Sequence, residues 1–355
     1  MIQIQNLKIK VLFLYTELAE YFISCLRCLS ENDVEIHVVR WQVNKEAPFE
    51  FSHLPTVKFY NRESYDYDNL KHLADTVKPD IIVCSGWIDK LYLKICAHFY
   101  GKAKTVLTLD NQWKGGWKQQ LARLVSPFYL KTKFSHVWVP GKRQVEYARK
   151  INFLENRILT GFYCADISGF EDIYQKTKKH KQENFPKRLL YVGRYTKSKG
   201  IFDLWDAFIE LIENGYEDWE LWCFGTGDEY DNRKQHQNIK HHGFVQPNEL
   251  QNYLDQVGVF VLPSHFEPWG VVIHEMAAAG FPIIASNAVG AADQFVKNGI
   301  NGFVYQQKEA KGLKNALQKI MDRPLTELVN MGDRSNEFAL ELTPQKWVDK
   351  LMSIK

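Results

Sequence analysis

The sequence predicts an α/β protein of two successive domains, each a parallel sheet with helices on both faces, the two facing each other across a cleft. Short apolar runs alternate with segments of helical length throughout, the signature of parallel βαβ units. The alternation breaks once, at the polar, lysine-rich stretch EDIYQKTKKHKQENFPK (171–187), and restarts at RLLYVG. At 355 residues the chain is long enough for two cores of ordinary size. We therefore expect domains at 1–170 and 188–342, with 171–187 as the linker.

In the first half, KIKVLFLY (8–15) reads as a buried first strand and TELAEYFISCLRCLSEND as the helix after it. VEIHVVRW, VKFY, DIIVCSG and KTVLTLD are further strands, with a helix around DNLKHLADTV. Ligands of such sheets sit beyond the C-terminal strand ends. Those ends put Thr16, Glu17, Trp87, Asp110 and Trp113 at a candidate ligand site. SHVWVPG continues the sheet and VEYARKINF the helices.

Between 111 and 134, Lys114, Lys118, Arg123, Lys131 and Lys133 interleave with Trp113, Trp117, Leu121, Leu124, Phe128 and Tyr129. This basic amphipathic stretch fits an anionic membrane surface. The alternative is an ordinary solvated helix packing its apolar side on the sheet.

The second half repeats the pattern. RLLYVG is a strand, RYTKSKG a loop and IFDLWDAFIELIENG a helix closed by Gly215. WELWCFG with GTG after it, NIKHHGFV and VFVLPS are strands, and NELQNYLDQVG is a helix with Asn248 as its N-cap. The loop SHFEPWG then carries Glu267 into a helix opening near Gly270, with Glu275 eight positions later. A strand end, an acid and a helix N-terminus form an anion-binding corner. The second acid reaches hydroxyls beside the anion, which points to a phosphate joined to a sugar. Arg194 and Lys199 flank the same end of the sheet.

Composition narrows the class. Net charge is +3, too small to imply nucleic acid. Six scattered cysteines read as buried thiols of a reducing compartment, Cys25 and Cys28 having no second pair at zinc spacing. The N-terminus MIQIQNLKIK lacks a signal core and no run of 18 apolar residues exists, so a cytoplasmic protein is expected. Neither an Asp-x-Asp triplet at a strand end nor a histidine cluster is present, and no metal or other cofactor is expected.

Taken together, YVGRYTKSKG, FGTG, HGFV, the Glu267/Glu275 pair and NAVGAADQFVKNGINGFVY resemble, in order and spacing, the retaining glycosyltransferases of family 4, which have the GT-B fold of two Rossmann-like domains. The resemblance implies that Arg194 and Lys199 grip the diphosphate of a UDP- or GDP-linked sugar, with Gly193 and Gly225 beside them. It implies that Glu267 lies by the donor sugar and Glu275 on the ribose. Phe244 and Val245 would meet the base through their backbone, and the amides of Gly270, Val271 and Val272 the phosphates.

The first half matches more loosely: Asp110 stands where many members carry a histidine, and LYTELAEY lacks their Gly-rich loop. TPQKWVDKLMSIK (343–355) suits the family's C-terminal helix, which returns to the first domain. The implied activity is metal-independent transfer with retention, with Glu267, Asp110, Arg194 and Lys199 as the catalytic set. Its setting would be synthesis of lipopolysaccharide, capsule or another surface glycan, in the cytoplasm and at the inner face of the membrane. The rivals are a sugar-nucleotide epimerase of similar fold and a non-catalytic sugar-nucleotide-binding subunit.

Overall fold

The structure, a computed structural model, describes residues 8–42 and 54–354. Part of the N-terminal stretch assessed as a signal sequence, residues 1–7, lies outside them. The chain divides into two compact units, one of Met1–Cys164 with Pro344–Lys355 and the other of Ala165–Thr343.

The first unit holds a seven-stranded sheet, all of it parallel. Its strands are β1 (Ile9–Tyr15), β2 (Val34–Arg40), β3 (Val57–Asn61), β4 (Ile81–Ser85), β5 (Lys104–Thr108), β6 (His136–Val139) and β7 (Ile158–Thr160). Between them run α1 (Glu20–Ser30), α2 (Tyr67–Val77), α3 (Lys90–Phe99), α4 (Trp117–Tyr129) and α5 (Lys142–Lys150). The strand order 3-2-1-4-5-6-7 reverses direction between β1 and β4. That switch point opens a crevice at the C-terminal strand ends.

Strand β1 shows why its run is apolar on both sides. Leu12 and Leu14 enter one core with Leu70, Tyr92 and Tyr147, while Phe13 and Tyr15 meet the ring of Phe22 on the other face. On that second face lies the last helix, α13 (Pro344–Met352), packed against α1. Trp347 is fully buried there, its Nε1 donating to Phe162 O at 2.8 Å and its rings 4.7 Å from those of Trp138. The chain's end therefore completes the core of its first unit.

In the second unit a six-stranded parallel sheet has the order β10-β9-β8-β11-β12-β13. These are β8 (Arg188–Val192), β9 (Glu220–Phe224), β10 (Ile239–Gly243), β11 (Val259–Leu262), β12 (Ile283–Ser286) and β13 (Gly302–Tyr305). Helices α7 (Ile201–Ile212) and α11 (Ala310–Met321) cover one face. The other face carries α6 (Ile167–Glu183), α9 (Val271–Ala278) and α12 (Leu325–Ala339), packed on one another. The two short helices are α8 (Pro247–Leu250) and α10 (Ala292–Phe295).

Two expectations change. Residues 171–187, expected as a linker, lie mostly in α6, a helix belonging to the second unit. Its polar composition hides a narrow buried seam of Ile167, Phe170, Tyr174, Thr177 and Lys181, spaced by three or four. The helix expected at 248–258 is broken: α8 begins at Pro247 with Gln246 as its cap and gives way to a 3-10 turn at Gln251–Gln256. Among the described residues no helix is long and apolar enough to cross a membrane.

Lys181 is an unusual member of that seam. It is buried, its ammonium has no hydrogen-bond partner among the described residues, and it lies 3.7 Å from the centroid of the Phe281 ring. Burial lowers its pKa to about 7, against about 10.4 in an unfolded chain. The fold therefore prefers the neutral amine, and the penalty is full below pH 7 and gone above the unfolded value. Lys181→Met should raise the melting temperature by several degrees at pH 7, with the gain shrinking as the pH rises toward 10. A gain that is equal at both pH values would show that burial of charge is not its origin.

Candidate functional site

The second sheet reverses its order between β8 and β11, so the loops leaving these two strands flank the crevice where ligands of such sheets bind. The first loop carries Gly193, Arg194 and Lys199, and the second Glu267 and Gly270. Glycine holds the two together. Gly200 sits at φ 66°, and a Cβ there would come within 2.1 Å of the Pro263 carbonyl oxygen. No other residue permits that approach. The amide of His265 donates to Ser198 O at 2.8 Å, and the His265 ring meets Asp203 at 2.7 Å. With the loops so joined, Lys199 Nζ donates to Glu267 Oε2 in a close ion pair, both side chains less than a fifth exposed.

The acid loop is fixed from its other side as well. Gly290 N donates to Glu267 O at 3.1 Å, and Ala291 N to Trp269 O at 2.9 Å. Ser286 Oγ donates to the Ser264 carbonyl. Trp269 is buried and lies edge-on to Phe295. The loop ends at Gly270, φ 88°, where no side chain caps the first turn of α9. The opening amides, Val271 and Val272, stand at the positive end of that helix with no bond inside it to make.

Helix α9 presents opposite characters on neighbouring residues. His274 is fully buried: its Nδ1 accepts from Ala165 N at 3.1 Å, its Nε2 donates to Ala339 O at 2.9 Å, and it stacks on Phe295. Burial lowers its pKa to about 4, so it is a neutral structural bracket. Glu275, one residue on, is partly exposed. Its carboxyl has no hydrogen-bond or ion-pair partner among the described residues. Desolvation, with the carboxylate of Asp166 adding to it, raises its pKa to about 7.

Of the other predicted donor residues, Gly225 lies against Gly193, where a Cβ would come within 2.0 Å of the Gly193 oxygen. Arg194 is exposed, and Phe244 (44% exposed) and Val245 follow β10. The sequence did not single out His265, Asp203, Gly200 or Gly290. Only the two glycines left a local signal, in TKSKG and NAVGAAD, where turn residues sit between periodic segments.

In the first unit, Thr16, Glu17, Trp87 and Asp110 line one cavity of about 390 Å³ at the β1/β4 switch point. Thr16 Oγ1 and Ser85 Oγ share a hydrogen bond of 2.9 Å. Asp110 accepts from Tyr163 Oη at 3.2 Å. Burial, with Tyr21 and Asp110 nearby, pushes the Tyr163 phenol well up, which keeps it the donor. Tyr163 lines this cavity and was missed, because it follows β7, far along the chain from the other lining residues. Trp113 is placed elsewhere: its ring packs 5.4 Å from Tyr147, beside the core.

Comparison with known proteins follows the same division. Residues 172–338 match the model of the glycosyl transferases group 1. Among relatives, the capsular polysaccharide biosynthesis glycosyltransferase CapM of Staphylococcus aureus is 31% identical over 209 residues, 53% of each chain. The chain spans between 35% and 53% of the length of the first curated relatives it matches. Whole-chain likeness comes from solved structures. Sucrose-phosphate synthase of Thermosynechococcus elongatus superposes with a TM-score of 0.71 at 18% identity, covering 97% of this chain and 98% of its own. Anabaena HepE, solved in complex with UDP and glucose, gives 0.69 at 15%, covering 98% and 99%. The chain has the GT-B fold, and the match to the group 1 glycosyl transferases lies within its second unit.

The raised pKa of Glu275 has a measurable consequence. A folded-state value near 7 against about 4.3 unfolded means that the fold holds the proton more tightly. That stability is full below the unfolded value and lost as pH rises through 7. Glu275→Gln should melt several degrees above wild type at pH 8 and level with it at pH 4. A difference independent of pH would refute the environment described for this carboxyl.

Proposed function

We propose that the chain is a retaining, metal-independent glycosyltransferase that moves a sugar from a UDP- or GDP-linked donor to an acceptor hydroxyl in surface-glycan synthesis. The observation that carries the reading is the Lys199–Glu267 ion pair, held beside the uncapped N-terminus of α9 at the switch point of the second sheet. A diphosphate bound there meets Arg194, Lys199 and the amides of Gly270, Val271 and Val272. These supply positive charge where the leaving group accumulates negative charge. Glu267 lies by the transferred sugar, and its pairing with Lys199 keeps both side chains in place until the diphosphate shares the ammonium.

Glu275, unpaired and partly buried, takes the ribose hydroxyls, which satisfy an acceptor that the protein leaves open. The close Gly193/Gly225 contact leaves room for the nucleotide, and the backbone at Phe244 and Val245 meets the base. The acceptor hydroxyl attacks from the face that the diphosphate leaves, and a diphosphate oxygen takes its proton. Protein groups act by position and charge. On the acceptor side the reading uses the cavity of Thr16, Glu17, Trp87 and Asp110, with Asp110 oriented by Tyr163.

A lipid-linked or surface-glycan acceptor and peripheral contact with an anionic membrane, at its inner face, belong to the same reading. Their support is α4, which leaves Trp117, Leu124 and Phe128 71–82% exposed. An ordinary amphipathic helix on a sheet would bury that side.

Turnover over a panel of nucleotide sugars, read by mass spectrometry, tests the activity. Arg194→Ala and Lys199→Ala should each lose about 10²–10³ in turnover, and activity in both within a few-fold of wild type would exclude the assignment. Glu275→Ala should weaken nucleotide binding in calorimetry. Turnover should survive excess chelator, whereas loss that Mg²⁺ restores would overturn metal independence. Donor conversion without any acceptor would instead identify an epimerase.

A further inference from the structure

A larger cavity, about 750 Å³, opens at the opposite end of the first sheet, where β1, β4 and β5 begin at Ile9, Ile81 and Lys104. Its walls carry Lys102, Lys104, Lys131 and Arg157 over an apolar floor that includes Phe134 and Phe153. No carboxylate among the described residues pairs with any of these four cations. The one acid in the lining, Asp80, has an oxygen engaged by Lys10 N at 2.8 Å. Arg157 Nη1 lies 3.0 Å from Nε2 of His136. Burial first, then Arg157 itself, lowers the His136 pKa to about 4, so the neutral ring accepts from the guanidinium without adding charge. An excess of cations over acids above apolar walls suits an amphiphile with an anionic head.

The cavity adjoins α4. Lys131, Phe134 and Ser135 of its wall directly follow that helix, and Asn152 of the wall donates to Arg123 O and Ser126 Oγ at 3.2 and 3.0 Å. Of the thirteen residues of α4 only Ser126 is buried. From residue 111 to 145 the chain has seven cations and no acid. Helix α4 leaves β5 at the acceptor-cavity end of the sheet and returns to the start of β6, so it runs from one cavity to the other. Thirteen residues cover roughly 20 Å.

We propose that this cavity is a headgroup site for an anionic phospholipid, filled when α4 lies along the bilayer surface. The headgroup phosphate meets Lys102, Lys131 and Arg157, and the apolar floor receives the glycerol end of the lipid. At its other end the helix brings the acceptor cavity to the same surface. The proposal rests on the membrane contact proposed for α4 and is independent of the transfer chemistry.

Sedimentation with phosphatidylcholine vesicles, with and without phosphatidylglycerol, tests it. Each cation near an anionic surface contributes about fivefold in affinity. Lys102→Ala combined with Lys131→Ala, both exposed positions, should therefore weaken binding to the anionic vesicles by well over tenfold. A matched loss of charge elsewhere, Lys176→Ala with Lys179→Ala in α6, should change it less than about twofold, since neither residue lines the cavity. Equal effects of the two pairs would overturn the headgroup site and leave only diffuse attraction. Wild type failing to sediment with anionic vesicles at low salt would overturn the membrane contact itself, while turnover in solution would be untouched. Leu124→Ser with Phe128→Ser should abolish sedimentation, and unchanged binding would refute insertion of α4. Titration of inorganic phosphate without vesicles should give no saturable heat. Saturable binding that the Lys102/Lys131 variant loses would reassign the cavity to a soluble phosphate and overturn the lipid proposal.

Discussion

Two loops leaving neighbouring strands, β8 and β11, touch at a glycine, and the second unit's site depends on that contact. At Gly200 the backbone passes within van der Waals distance of Pro263, in a conformation that side chains rarely adopt. The hydrogen bonds that the His265 and Phe266 amides donate to the Ser198 carbonyl follow from it, and so does the meeting of Lys199 with Glu267. An ion pair between flexible side chains on open loops would contribute little. Here the chain on both sides is fixed, so the pair loses less freedom in forming.

Behind this pair, α9 is set by groups that no ligand needs to touch. His274 braces the helix through two hydrogen bonds to backbone on other elements, and Phe295 lies flat against its ring. With that residue held inside, Glu275 is carried into a place where its carboxyl finds no partner and its charged form is disfavoured. A protein does not gain stability from such a carboxyl. In a helix otherwise made of apolar residues, alanines and one buried histidine, Glu275 is the single acid.

The first unit distributes its apolar surface unevenly. Its last helix closes the core with a fully buried tryptophan, whereas α4 turns Trp117, Leu124 and Phe128 to solvent. Both helices are amphipathic in sequence, and the periodicity of each is equally clear. Which of them covers the sheet is decided by the space the other elements leave. A Lys-rich helix, α6, shows the converse, since a seam of five side chains suffices to pack it. Charge density along a segment is a poor guide to whether it is a linker when one narrow stripe can be buried.

Period and punctuation in the sequence determined the two parallel sheets, most of their strands and the strand ends that carry Arg194, Lys199, Glu267 and Asp110. Those are local properties: a strand buried on both faces must be apolar throughout, and a chain that reverses after it needs turn residues. The tertiary structure alone decided which of these residues meet. Lys199 and Glu267 are 68 positions apart, and nothing in either neighbourhood specifies the other. Tyr163 reaches Asp110 across 53 positions for the same reason. The break after α8, the absorption of 171–187 into the second unit and the exposure of α4 are also outcomes of packing. Each depends on the volume that distant segments occupy, and a single stretch of sequence does not contain that volume.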